Sequence, residues 1–217
     1  AVPWQALRPK RGHARITIYP SDIRLRRYQD RSDRLVIFIV DASGSAAMAR
    51  LAEAKGAVEL LLGQAYARRD HVALVAFRGP GAETLLPPTR SLVQAKRRLA
   101  ALPGGGGTPL AAGLESAAHL ATQARDRGLS PAFALLTDGR ANIALDGTSD
   151  RAQAQKDTIS RATYLRGLIM QGCVIDTAPR SSANAAVLAQ ALGVDCITLP
   201  RADSHRLSEA IDQALDA

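Results

Sequence analysis

Leu35-Val36-Ile37-Phe38-Ile39-Val40-Asp41-Ala42-Ser43-Gly44-Ser45 joins an unbroken apolar run to a polar turn. Leu35 to Val40 are mostly β-branched or aromatic, which predicts a strand buried on both faces. Asp41 then offers a carboxylate, and Ser43 and Ser45 offer hydroxyls in a turn that Gly44 allows to fold back sharply. These are hard oxygen donors without His or Cys, so the cation they suit is Mg2+, or Mn2+ as a close substitute. The same residues also make an ordinary turn in which Ser45 caps the next helix, so this stretch alone leaves both readings open.

The other 206 of the 217 residues bound the answer. With 47% hydrophobic and only 4% aromatic residues, the chain can bury one substantial core of Ala- and Leu-rich helices on a sheet. No apolar run approaches the roughly 20 residues of a membrane span, so a soluble domain is expected, and the two cysteines point to the cytoplasm. Cys173 and Cys196 lie in apolar surroundings without a CxxC, which predicts free thiols rather than a disulfide. The net charge is +8, and residues 1–34 hold nine Lys/Arg against three Asp, a surplus of six that leaves two for the remainder. That basic arm lacks interleaved aromatics, so it points to an acidic protein partner or a solvated face and not to nucleic acid. Its irregular opening, VPWQALRPKRGH without an initial Met, suggests a piece of a longer protein.

Within the arm, residues 15–19 and 23–26 alternate around Pro20-Ser21-Asp22, which predicts a hairpin-like pair of edge strands over residues 1–32, separate from a domain over 33–217. Helical spacing covers 46–69, and 72–77 is a second buried strand, making a βαβ unit. Glu83 to Leu86 reads as a short antiparallel edge strand stopped by Pro87-Pro88, followed by a helix from Ser91 to Leu102. Gly104 to Gly107 permit close backbone approach, and Thr108-Pro109 has the pattern of a helix N-cap with Pro at the first helical position. Ala132 to Leu136 is another buried strand ending in a carboxylate, Asp138, and the polar stretch Arg140 to Gln155 reads as a long loop. Helices at 156–171, 183–192 and 204–215 and strands at 174–178 and 195–199 complete the chain.

The alternation predicts a doubly wound α/β sheet of six strands, mostly parallel with one antiparallel edge strand and helices on both faces. Ligands bind such sheets beyond the carboxyl ends of the strands where the winding reverses. A reversal between the strands at 35 and 132 makes Asp41 and Asp138 neighbours, with Thr108 facing the same place. Two carboxylates and the hydroxyls of Ser43, Ser45 and Thr108 then converge, a set that balances a divalent ion in an octahedral shell completed by water. Catalysis fits poorly. His13, His71, His119 and His205 are scattered singly, and Ser43 lacks a GxSxG elbow. An ion held largely by neutral hydroxyls would accept an outside carboxylate, so binding ranks above turnover.

Asp41-Ala-Ser43-Gly-Ser45, Gly107-Thr108-Pro109 and Leu136-Thr137-Asp138-Gly139 together resemble the metal-ion-dependent adhesion site of the von Willebrand factor A, or integrin I, fold. Pro20 to Arg24, the VIFIVDASGSAA run, Val75 to Gly79, Leu136 to Asn142 and Leu199 to Asp203 more narrowly resemble the carboxyl-terminal domain of the magnesium chelatase D-subunit family. The resemblance implies that Ser43, Ser45 and Thr108 bind Mg2+ directly, and Asp41 and Asp138 directly or through water. It also implies a scaffold role beside the AAA+ I subunit, which alone uses ATP, and the porphyrin-binding H subunit. The complex inserts Mg2+ into protoporphyrin IX in (bacterio)chlorophyll synthesis. The competing readings are the equivalent domain of a cobalt chelatase, a site delivering Mg2+ to the porphyrin, and a surface adhesion module.

Overall fold

The computed structural model describes residues 33–44, 62–101, 104–169, 171–178 and 183–198. The arm strands, most of the 46–69 helix, Ser45 and the 204–215 helix lie outside the described residues.

Six strands form one sheet: β1 (Arg34–Asp41), β2 (His71–Arg78), β3 (Gly81–Thr89), β4 (Ser130–Thr137), β5 (Gln171–Asp176) and β6 (Asp195–Thr198). Their order is β3-β2-β1-β4-β5-β6, with β3 alone antiparallel, which is the predicted architecture. The helices are α1, described over residues 62–67, α2 (Leu92–Ala100), α3 (Leu110–Asp126), α4 (Arg151–Leu168) and α5 (Ala183–Leu192).

β1 is central because both of its faces are apolar. Leu35, Ile37 and Ile39 pack with residues of α3, α4 and α5 on one face, while Val36, Phe38 and Val40 pack with Leu62 and Ala65 of α1 and Ala95 of α2 on the other. All six are at most 1% exposed, and each fully buried side chain of this size contributes about 1.5–3 kcal/mol. β1 pairs in parallel with both β2 and β4, so the winding reverses between β1 and β4 as the sequence implies.

Three local expectations change. Pro87-Pro88 do not stop the edge strand, because β3 runs on to Thr89. An edge strand pairs on one side only, and register shifts beside Leu74 absorb the amide donors that the prolines lack. α4 begins at Arg151 rather than Lys156, since the Asp150 carboxylate accepts the amides of Ala152 and Gln153 at 2.8 and 3.2 Å. The expected loop is correspondingly shorter, and Asp157 ties it to α4 by accepting the Leu145 amide at 2.9 Å. β5 starts at Gln171, three residues early, where Gly172 leaves room for the Phe133 ring: a Cβ there would lie 2.5 Å from Phe133 Cε1.

Both cysteines are free. Cys173 belongs to one core cluster and Cys196 packs against the other, so alternation along the strands sends the two thiols to opposite sheet faces. Burial pushes the Cys173 thiol up to about 12. In the native chain Cys173 is therefore expected to resist Ellman's reagent at mildly alkaline pH, with at most Cys196 reacting, and both to react in guanidinium. Two fast native thiols would contradict this placement. Gly139 lies at φ +75°, and a Cβ there would come within 2.4 Å of the Ala185 amide nitrogen. Gly139→Val should destabilise the chain by upwards of about 2 kcal/mol in a denaturant titration.

Candidate metal centre

At the carboxyl end of β1 the chain leaves the sheet with Asp41 still paired to β2, opposite Phe77. Asp41 is only 6% exposed, and three protein groups meet its carboxylate. The Ser43 amide and hydroxyl both donate to Oδ1, at 2.9 and 2.6 Å, and the Thr137 hydroxyl donates to Oδ2 at 3.2 Å. Register explains Thr137: Val40 faces Leu136 across β1 and β4, so the next residue along β4 stands beside Asp41. Burial pushes the Asp41 carboxyl above its ordinary value. The Ser43 hydrogen bonds pull it down, the charge of Asp138 pushes it up again, and the Thr137 hydroxyl pulls it down.

The glycine loop brings in the third segment. The Gly105 amide donates to the Ala42 carbonyl at 2.9 Å. Gly106 sits at φ +87° with its position tight against Gly79, where a Cβ would be 2.8 Å from the Gly79 Cα. The close approach foreseen from the glycines is therefore to the β2–β3 turn of the chain itself. It sets the nearly buried Thr108 so that its hydroxyl donates to Ser43 Oγ at 2.8 Å.

Thr108 is not the helix cap that the Thr-Pro pattern suggests. Pro109 occupies the N-cap of α3 and no side chain caps that end. The Thr108 hydroxyl is committed to Ser43, and its backbone is held by Asn142: the Thr108 amide donates to Asn142 Oδ1 at 2.6 Å, and the Asn142 amide donates to the Thr108 carbonyl at 3.2 Å. Asp138 lines the same cleft as Ser43 and Thr108, and its Oδ1 accepts the Arg140 amide at 3.0 Å. Asp41, Ser43, Thr108 and Asp138 are thus brought to one corner of the molecule, while Ser45 lies outside the described residues.

Asn142 and Thr137 are the positioning residues that the reading of the sequence passed over. Both stand in the resembling motif at the end of β4, but Asn142 acts on a residue 34 positions away and Thr137 on one 96 positions away, so neither role leaves a local signal.

The donor set fits a small hard cation. No group of three or more His, Cys, Asp or Glu gathers among the described residues, which is unlike zinc chemistry. Adjacent oxygens in an octahedral shell of about 2.1 Å radius lie about 3.0 Å apart. The Asp41–Ser43 and Ser43–Thr108 oxygen spacings of 2.6 and 2.8 Å are close to that edge. Above them opens a cleft of about 750 Å3 whose walls include Asp138, Arg140, Asn142, Arg151, Asn184 and Val187.

Comparison with known proteins places the chain in a family. Residues 36–140 match the von Willebrand factor type A domain. The chain is 61% identical, over 99% of its length, to the magnesium-chelatase 60 kDa subunit of Cereibacter sphaeroides, and 52% identical, over its whole length, to that of Rhodobacter capsulatus. It spans 39% of the length of each. Among solved structures, a von Willebrand factor type A protein from Catenulispora acidiphila superposes with a TM-score of 0.57 at 20% identity, covering 82% of this chain and 41% of that one. No helix among the described residues is long and apolar enough to cross a membrane. The chain belongs to the von Willebrand factor type A domain family, in the group that the magnesium-chelatase 60 kDa subunits carry.

Proposed function

We propose that the chain is the metal-dependent interaction domain of a magnesium-chelatase D subunit, holding Mg2+ and, beside it, a carboxylate of a neighbouring subunit. The observation that carries this reading is the file of three oxygens, Asp41 Oδ1, Ser43 Oγ and Thr108 Oγ1, spaced at 2.6 and 2.8 Å and drawn from two turns 65 residues apart. The names of the relatives supply the setting. Ser43, Ser45 and Thr108 would hold the ion directly, and Asp41 and Asp138 directly or through water, with Mn2+ as the substitute. Mg2+ would supply a Lewis-acidic centre able to accept an outside carboxylate.

The residues of the chain do the rest. Asp41 accepts from Ser43 and fixes its rotamer, while Thr137 anchors the other carboxylate oxygen. Asn142 holds the Thr108 backbone so that its hydroxyl faces Ser43. In this reading residues 33–217 are the interaction domain and residues 1–32 a distinct basic arm. The domain itself turns nothing over. It assembles the AAA+ I subunit, which uses ATP, with the porphyrin-binding H subunit, so that the cytoplasmic complex can insert Mg2+ into protoporphyrin IX.

Saturating Mg2+ is expected to raise the melting temperature of the chain by roughly 5–10 °C at a hundredfold excess over Kd, and EDTA to reverse the rise. Ser43→Ala should cost only about 1 kcal/mol of stability without metal, yet lose the Mg2+ shift in calorimetry. In pull-downs against the I and H subunits, the unaltered chain should capture its partner with Mg2+ and release it with chelator. Ser43→Ala should capture at least about tenfold less. Full capture by Ser43→Ala, or in chelator, would remove the metal from the interaction.

A further inference from the structure

The cleft over Ser43 and Thr108 is larger than a single carboxylate requires. Its volume of about 750 Å3 falls in the range of about 300–1,000 Å3 in which protein clefts enclose whole ligands. An occupant of that size touches more than the oxygens at the floor.

The charge of the walls says what else it carries. Arg140 follows β4, and Arg151 opens α4, whose first turn holds no acidic residue. Both side chains are exposed, and neither forms an ion pair among the described residues. Asp138 lines the cleft and Asp41 lies beneath its floor, and the two arginines offset their charges, while the Asp150 carboxylate beside Arg151 is turned to the amides of Ala152 and Gln153. A divalent ion at the floor then leaves two positive charges for the occupant to meet. One carboxylate would leave the cleft cationic, and two would neutralise it. Guanidinium groups suit the second, since their planar fork matches a carboxylate. On the α5 wall Val187 is 48% exposed and offers an apolar contact, which favours a peptide over an inorganic anion.

Resting on the metal-dependent reading above, we propose that the cleft selects an acidic segment of a partner protein bearing two carboxylates. One faces Ser43 and Thr108, the other is taken by Arg140 and Arg151, and a neighbouring apolar side chain packs on Val187. The floor supplies the metal-dependent hold, and the arginines choose among acidic partners.

Two capped peptides test this on the whole chain, Ac-Gly-Glu-Leu-Gly-Gly-NH2 and Ac-Gly-Glu-Leu-Glu-Gly-NH2, titrated with Mg2+ by NMR or calorimetry. The two-acid peptide should bind about tenfold more tightly, and the ratio should fall to about one in Arg140→Gln/Arg151→Gln. Equal affinities for the unaltered chain, still lost in EDTA, overturn the two-acid proposal and leave the metal reading standing. Binding indifferent to EDTA overturns the metal reading beneath it. A ratio that survives in the double variant overturns the assignment to the arginines. Displacement of the two-acid peptide by an equal concentration of inorganic phosphate gives the cleft to phosphate instead, and no binding of either peptide into the millimolar range overturns both readings.

Discussion

A carboxylate held out of water at the end of the central strand is the constraint on which the functional corner depends. Asp41 cannot be left alone there, because a buried charge without partners costs several kcal/mol. The chain answers with three donated hydrogen bonds, two from Ser43 and one from Thr137. Each fixes a neighbour as much as it satisfies Asp41. Ser43 acquires a single orientation and becomes the acceptor for Thr108, and Thr137 becomes the acceptor for the Gly139 amide at 3.1 Å. Burial still holds the carboxyl above its ordinary value, so the corner retains an electrostatic demand that a cation would meet.

The sheet makes this affordable by supplying geometry that turns alone lack. β1 has neighbours on both sides and apolar contacts on both faces, so its carboxyl end is among the best-fixed points in the fold. Reversal of winding at that strand leaves a gap between the turns after β1 and β4, and the glycine loop closes over it, pinned to Ala42 and pressed on Gly79. Rigid elements therefore place each oxygen, while the polar segment after β4 forms the wall above them.

Most of this architecture was legible because it rests on periodicity and on buried strands. The alternation of apolar runs and helical spacing yields the six strands, and the position of β1 and β4 yields the reversal point. The misreadings at Thr108 and at Pro87-Pro88 share one cause, a local pattern overruled by a distant partner. Thr108-Pro109 reads as a cap until Ser43 and Asn142 compete for Thr108. Pro87-Pro88 read as a stop until the edge position of β3 makes their missing donors harmless. Asp150 was a stronger helix start than the polar composition around it suggested. Asn142 stands in one of the resembling stretches, but its role gave no signal, since it comes from a pair of hydrogen bonds to a residue it meets only in the folded chain.

The long reach of these contacts has a consequence for how the corner comes into being. Thr137, Asp138 and Asn142 follow Asp41 by about a hundred residues and join it through the pairing of β4 with β1, a contact of large sequence separation whose closure costs chain entropy. A copy truncated before β4 would carry the turn after β1 with neither the clamp on Asp41 nor the support under Thr108. Incomplete copies would thus hold the first turn without the geometry that sets Thr108 against it.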